Sequence, residues 1–326
     1  MRVLVTGGLG FVGSAVATHL YDEGHDVTVL THRPFPGIGT RGGSPPPEQH
    51  PYQIPNGIRI AVADIRDRTK LAEVIDTGGF DGVCHLAALT RVRDSFKDPI
   101  DYFDVNVTGT LNLLRALDAY AVRSGTVPRL IFGSTGAVYG PAEGRIDEDH
   151  PTRPTNPYGA SKLAAEQAIK YQAQTRQLDA VVLRSFNISG AVRMADSDTT
   201  RIIPKALAVA AGRFEHVEVN GDGTAVREYT HVADVASAFR LSLERMQSDE
   251  YSVFNIGAGQ PASVADIIAI AEQVTGRSVP VHHNPPHPEP QIMISGSDAI
   301  NRYLTWRAQC SDLTQMISDA WAKYAH

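Results

Sequence analysis

Four glycines in seven residues separate a β-rich apolar run, Val3-Leu4-Val5-Thr6, from a stretch between Phe11 and Tyr21 whose apolar positions fall at helical spacing. Gly8, Gly10 and Gly13 satisfy GxGxxG, and Gly7, Gly10 and Gly13 satisfy GxxGxxG. A strand, a tight turn and a helix in this order require glycine on geometric grounds. The turn needs positive φ, a diphosphate must approach the amides at the helix N-terminus, and the helix must pack closely on the sheet. The segment therefore predicts a dinucleotide site built from Gly7, Gly10, Phe11, Val12 and Gly13. No Gly-Lys-Ser/Thr ending follows, which excludes the nucleoside-triphosphate loop.

The rhythm continues beyond the turn. Strand patterns at Asp26–Thr31, Ile58–Val62, Gly82–Leu86, Arg129–Phe132 and Ala180–Leu183 alternate with helical patterns, among them Ile100–Val122 and Ser161–Gln174. Strands joined by crossover helices predict an α/β fold with a doubly wound parallel sheet. The stretch from Pro34 to Pro55, rich in Pro and Gly, reads as a surface loop. After Gly190 the pattern becomes irregular: a helix over Pro204–Ala211, a strand at Val217–Val219, and helices over Val232–Met246, Val264–Thr275 and Asp312–Tyr324. The expected division is a dinucleotide-binding domain over 1–190, with later elements contributed by the carboxy-terminal half, and a smaller, mainly substrate-binding lobe over 191–326. Pro280–Pro290 reads as a loop over a cleft.

Composition removes several classes. Thirty Lys and Arg against thirty-six Asp and Glu give a net charge of −6 with no basic run, so nucleic acid is not an expected partner. No apolar stretch approaches the ~18 residues of a membrane span. The amino terminus runs straight into a strand pattern without a signal peptide's features, and Cys84 and Cys310 lack CxxC spacing, so the expected setting is cytoplasmic. The histidines at 282, 283 and 287 stand among prolines without a helically spaced carboxylate, so no metal is expected.

Tyr158 and Lys162 lie four residues apart, hence on one face of the helix that Asn156-Pro157 opens. Ser134 and Thr135 end the preceding strand, and a parallel strand delivers its last residues to the carboxyl edge of the sheet, where a nicotinamide would lie. A lysine ammonium and an oxidised nicotinamide both favour a phenolate, which makes Tyr158 a general base, Lys162 its electrostatic partner and Thr135 the group that orients the reacting hydroxyl. The second strand ends Thr31-His32-Arg33 where an acid that would bind the adenosine ribose is absent. Arg33, with His32, is suited to a 2′-phosphate, which favours NADP over NAD; the alternative is that Arg33 is a solvated loop residue.

With these residues in view, the chain resembles the extended short-chain dehydrogenase/reductase superfamily, a Rossmann-type fold, and within it the nucleotide-sugar epimerases. The resemblance extends to Asp64-Ile65-Arg66, which in that family touches adenine, and to His85-Leu86-Ala87-Ala88, which lines the cofactor cleft. It includes Val105-Asn106-Val107, whose Asn supports the active site, and Arg184-Ser185-Phe186-Asn187, which places Asn187 at the sugar-nucleotide phosphates. It also includes the run from Gly221 to Asp234, in which Arg227 binds the diphosphate. The resemblance implies a cofactor contacted by Ser134, Tyr158 and Lys162, and an NAD(P)-dependent epimerisation, usually at C4, through a transient 4-keto sugar. It implies a UDP-sugar as substrate and a homodimer as assembly.

Sugar 4,6-dehydratases carry Asp-Glu after the catalytic Thr where this chain has Gly136-Ala137, so dehydration lacks its acid and base. His287-Pro288-Glu289-Pro290 replaces the family's Arg-Pro-Gly-Asp, and Ser295-Gly296-Ser297 stands where the family often has an acid. Two alternatives stay open: an NADPH-dependent reductase of a keto-sugar or related ketone, and a silent dinucleotide-binding protein, against which Thr135, Tyr158 and Lys162 argue.

Overall fold

The computed structural model describes residues 1–32, 54–176, 178–247, 250–286 and 289–324. Arg33 and most of the Pro34–Pro55 stretch lie outside the described residues, as does His287. Two compact units emerge. One comprises Met1–Gly140, Pro151–Arg184 and Ala236–Phe254, and the other Pro141–His150, Ser185–Val235 and Asn255–His326.

The first unit is organised by β1 (Arg2–Thr6), β2 (Asp26–Thr31), β3 (Arg59–Val62), β4 (Gly82–His85), β5 (Arg129–Thr135), β7 (Ala180–Ser185) and β11 (Tyr251–Ile256). They form a seven-stranded sheet in the order β11-β7-β5-β4-β1-β2-β3. The pairs β1/β2, β1/β4, β2/β3 and β4/β5 are parallel, with Val5 opposite Val29 on one side and Cys84 on the other. The central strands are buried on both faces, which explains their continuous apolar runs. The crossovers use α1 (Phe11–Asp22), α2 (Arg68–Gly78), α3 (Val92–Ser95), α4 (Pro99–Phe103), α5 (Gly109–Ser124), α6 (Pro157–Arg176) and α8 (Val232–Arg245). On one face Leu71 and Ile75 of α2, Leu113 and Leu117 of α5, and Ala165 and Ile169 of α6 pack onto Leu4, Val83, Leu130 and Val182. The order, with β1 in the interior and the chain winding outward from it in both directions, is the doubly wound arrangement that the alternation predicted, of Rossmann type.

The helical pattern at Ile100–Val122 is not one helix. It divides into α4, a π-helical turn over Asp104–Thr108, and α5. Apolar periodicity runs through the break and conceals it, whereas the wider turn places Asn106 in the interior.

The second unit holds β6 (Gly144–Ile146), β8 (Asn187–Ser189), β10 (Val226–His231), β12 (Pro261–Ser263) and β14 (Ile292–Ser295), with β9 (Val217–Asn220) and β13 (Val281–Asn284) as a separate pair. Its helices are α7 (Ile202–Ala210), α9 (Val264–Thr275), α10 (Asp298–Leu304) and α11 (Leu313–Tyr324). Ile203, Leu207, Ile267, Ala271, Met316 and Ile317 form its core. A capping box between Ser263 and Asp266 starts α9. Two sequence expectations are corrected here. Pro141–His150 falls in this unit and not with residues 1–190, because β6 pairs with β14. The Pro280–Pro290 stretch is not wholly loop, because Val281–Asn284 pairs in parallel with β9, Val281 opposite Val217. Among the described residues no helix is long and apolar enough to cross a membrane.

Candidate active site

Gly7, at φ 68°, follows the last residue of β1, and its N–H donates to Leu30 O at 3.0 Å. A Cβ there would lie 2.8 Å from Ala87 N, and a Cβ on Gly13 would overlap the Gly7 carbonyl. Both positions are closed to side chains by geometry. Gly10 caps α1 with no side-chain hydrogen bond, so the helix begins with bare backbone amides. Phe11 and Val12 open the helix and are half-buried. This cradle fits a diphosphate, which binds where amides and the positive end of a helix dipole converge. Leu86, Ala87 and Ala88 follow β4, and the amides of Leu86 and Ala87 each donate to Thr6 Oγ1 at 3.1 Å.

At the end of β2, Thr31 is buried and His32 is exposed. Asp64 is not an open carboxylate: Arg66 donates to it from its backbone N–H and from Nε and Nη2, at 2.9, 3.0 and 2.7 Å. Those hydrogen bonds hold its carboxyl below the usual range, despite partial burial that acts in the opposite sense. The Ile65 side chain belongs to the core, facing Gly109, so only its backbone is available to a ligand.

At the carboxyl end of β5, Thr135 Oγ1 accepts from Ala137 N at 3.1 Å, starting the 3₁₀ turn Gly136–Tyr139. Ser134 Oγ donates to Glu166 of α6, tying strand end to helix. Tyr158 opens the same helix, its ring edge-on to Tyr102 with centroids 6.4 Å apart. Lys162, one turn on, is 3% exposed, with Nζ 3.9 Å from the centroid of the Phe132 ring. Burial pushes its ammonium down to about 7, against the raising effect of Glu166. Asn106 holds Leu89 from both sides, accepting from its N–H at 2.8 Å and donating to its O at 3.0 Å, and it donates to Ser161 Oγ at 2.9 Å. The structure thus brings Ser134, Lys162 and Asn106 into contact with α6 or β5, and sets the glycine turn at the same sheet edge.

Asn187 and Arg227 lie in the second unit. Asn187 Nδ2 donates to Glu228 O at 2.9 Å, and Arg227 pairs with Glu289 at 3.0 Å while donating to its neighbour Val226 O at 2.8 Å. Glu289, the partner of Arg227, lines a cavity of about 850 Å³ together with Asn220, Asp222, Thr224, His283 and Gln291 among others.

Sequence reasoning overlooked Glu166 and Glu228. Glu166 follows Lys162 by four residues, so helical spacing carried the signal. Arg184 donates to it from Nε at 3.1 Å and from Nη2 at 2.6 Å, and to Tyr139 Oη from Nη1 at 2.9 Å. Glu228 is fully buried and accepts from Ser295 N and Oγ at 2.7 and 2.9 Å and from Gly259 N, pairings between distant segments that no local pattern announces.

The sequence profile of the NAD dependent epimerase/dehydratase family matches residues 3–257. The chain is 38% identical to a UDP-glucose 4-epimerase of Streptomyces lividans, over 98% of this chain and 95% of that protein. It superposes on the crystal structure of a UDP-glucose 4-epimerase from Brucella ovis in complex with NAD, with a TM-score of 0.88 at 31% identity, covering 99% of this chain and 98% of that one. A UDP-glucose-4-epimerase from Stenotrophomonas maltophila, solved with NAD and formylated UDP-arabinopyranose, gives 0.87 at 32% identity over 100% and 98% of the two chains. On these matches, which span both units, the chain belongs to the NAD dependent epimerase/dehydratase family.

Proposed function

We propose that the protein is an NAD(P)-dependent epimerase acting at C4 of a nucleotide-linked sugar, with a UDP-sugar as substrate. The observation that carries this is the buried Lys162 one helical turn from Tyr158, beside the strand end of Thr135 and at the same sheet edge as the glycine turn. Relatives across the whole length are UDP-glucose 4-epimerases, two of them solved with NAD.

In this reading Gly7, Gly10 and Gly13 admit the dinucleotide diphosphate, with Phe11, Val12, Leu86, Ala87 and Ala88 along its path, Asp64 and Ile65 toward the adenine, and Ser134 toward the nicotinamide. When bound, the nicotinamide supplies the hydride acceptor, and then the donor, that link the two epimers through a transient 4-ketose. Thr135 orients the C4 hydroxyl and Tyr158 takes its proton, then returns it after the sugar presents its other face. Lys162, a cation held in low dielectric, stabilises the phenolate. Asn187 and Arg227 bind the diphosphate of the substrate.

At the adenosine end β2 closes on the neutral Thr31 followed by His32, where an acid would otherwise bind the ribose, and this favours NADP for the present chain. The relatives solved with NAD make NAD the alternative. A homodimer is the proposed assembly: Val92, Phe96, Ile100 and Phe103 expose apolar side chains along α3, α4 and the turn between them, surface that a second copy would cover. Both cysteines are free thiols, which suits a reducing cytoplasmic setting.

The test is incubation of the purified protein with UDP-glucose or UDP-galactose without added cofactor, after mass spectrometry of the dinucleotide that denaturation releases. Appearance of the other epimer supports the reading, and the released mass identifies the cofactor. Absence of epimer, with ketone-dependent oxidation of added NADPH, assigns the protein as a reductase.

A further inference from the structure

Tyr158, Lys162 and Glu166 recur every fourth residue along α6 and so share one face. Lys162, Glu166 and Arg184 are 3%, 1% and 6% exposed, so three charges are removed from water together. A buried charge persists only where it is compensated. Here two cations share one carboxylate. Arg184 engages both oxygens of Glu166, and Ser134 Oγ donates to one of them. Lys162 reaches the same carboxylate only through space, resting instead on the Phe132 ring. Of the ionisable groups that interact with Lys162, Glu166 lies on its own helix and His85 projects from β4. His85 is neutral: burial pushes it down to about 3, with Lys162 adding to the effect.

We propose that Glu166 and Arg184 are positioning residues which together fix the negative charge that Lys162 experiences, and so set the pH range in which Tyr158 works as base. The catalytic half of this statement rests on the epimerase reading above; the electrostatic half does not. Neutralising Glu166 removes the counter-charge and leaves the Arg184 guanidinium, so Lys162 gives up its proton at lower pH. Removing the Arg184 charge has the reverse consequence, because the carboxylate's charge then acts on Lys162 without the guanidinium to offset it, Ser134 remaining as a neutral donor. A purely architectural pair would not produce opposite shifts from its two members.

The experiment is an NMR titration of full-length protein isotopically labelled at lysine Cε, alongside kcat against pH. The chain has six lysines, so the Lys162 resonance is resolved and is assigned with Lys162→Met. Glu166→Gln should move the Lys162 titration down, and Arg184→Met should move it up, each by roughly 1–3 pH units. The high-pH limb of kcat should follow in each case. Glu166→Gln leaves a buried guanidinium without its partner, so where that variant fails to fold Arg184→Met carries the test alone. Unmoved titrations, or shifts of the same sign in both variants, overturn the proposal. Opposite shifts of Lys162 without movement of the kcat limb retain the electrostatic pairing and overturn the role given to Lys162 in catalysis.

Discussion

Replacing Lys162 by methionine should abolish turnover and yet stabilise the fold. Burial lowers the Lys162 ammonium to about 7 from its ordinary 10.5. At about 1.36 kcal/mol per unit, that displacement corresponds to ~5 kcal/mol of unfavourable free energy for holding the charge inside. Methionine keeps most of the side-chain volume and forfeits the contact of the cation with Phe132, worth roughly 0.5–2 kcal/mol. Glu166 keeps Arg184 and Ser134 as partners in the variant. The net gain is therefore about 3–4 kcal/mol, within the range seen when buried ions give way to apolar side chains. With an unfolding entropy of about 2.1 cal/mol/K per residue over 326 residues, this raises the midpoint by roughly 4–6 °C. The pH dependence gives the effect its signature. The folded-state value lies below the unfolded one, so between about 7 and 10.5 the unfolded chain holds a proton that the folded chain has released. Wild-type stability rises with pH through that window. The advantage of the variant is consequently full below about pH 7 and gone above about pH 10.5. Thermal melts followed by circular dichroism at both ends of the window measure it. A variant that melts below wild type in acid, or whose advantage does not change with pH, refutes the reasoning.

Tyr158→Phe should reduce kcat by roughly 10²–10⁴-fold while the released dinucleotide stays stoichiometric, as read by mass spectrometry, because only the proton acceptor is lost. Asn106→Ala should lower stability by about 1–3 kcal/mol in chemical denaturation, since Leu89 and Ser161 lose buried partners. Glu289→Gln should tighten UDP binding in calorimetry by up to about fivefold, the scale of a partly exposed ion pair of ~1 kcal/mol, because Arg227 is freed for the diphosphate. Arg227→Met should weaken it, and equal affinities in both variants would remove Arg227 from the diphosphate site.

What the sequence disclosed was local and periodic. The glycine turn, the alternation of strands and helices, and the spacing of Tyr158 and Lys162 are all encoded within a few residues, so they could be read directly. The π turn over Asp104–Thr108 could not, since apolar periodicity continues across it. The strands β6 and β14 are short and pair across 149 residues, Gly144 opposite Met293, and their residues carry no alternation long enough to register. Glu228 shows the same limit, because its partners Ser295 and Gly259 are brought to it only by the second sheet. The Arg227–Glu289 pair belongs here too: the sequence flagged Glu289 as a departure but not where its charge would go.

The glycine turn and α6 are joined by a buried chain of polar groups whose donors and acceptors fix its direction. Thr110 Oγ1 donates to Asn106 O at 2.6 Å, so it accepts from His85 Nε2 at 3.0 Å, and that nitrogen carries the ring proton. His85 Nδ1 is then the acceptor for the Thr6 hydroxyl at 2.7 Å, whose oxygen still receives the amides of Leu86 and Ala87. At the far end Asn106 Nδ2 donates to Ser161 Oγ, which donates to Tyr158 O at 2.8 Å. Every hydroxyl in the chain uses its single proton, and a protonated imidazole would have no acceptor at Nδ1, since Thr6 presents a donor there. The network thus enforces the neutral imidazole that burial also favours. A charged His85 would set a further cation against Lys162, with Glu166 already shared with Arg184. The hydrogen bonds that link the last residue of β1, through His85, Thr110 and Asn106, to the first turn of α6 therefore also keep Lys162 from losing its proton to repulsion.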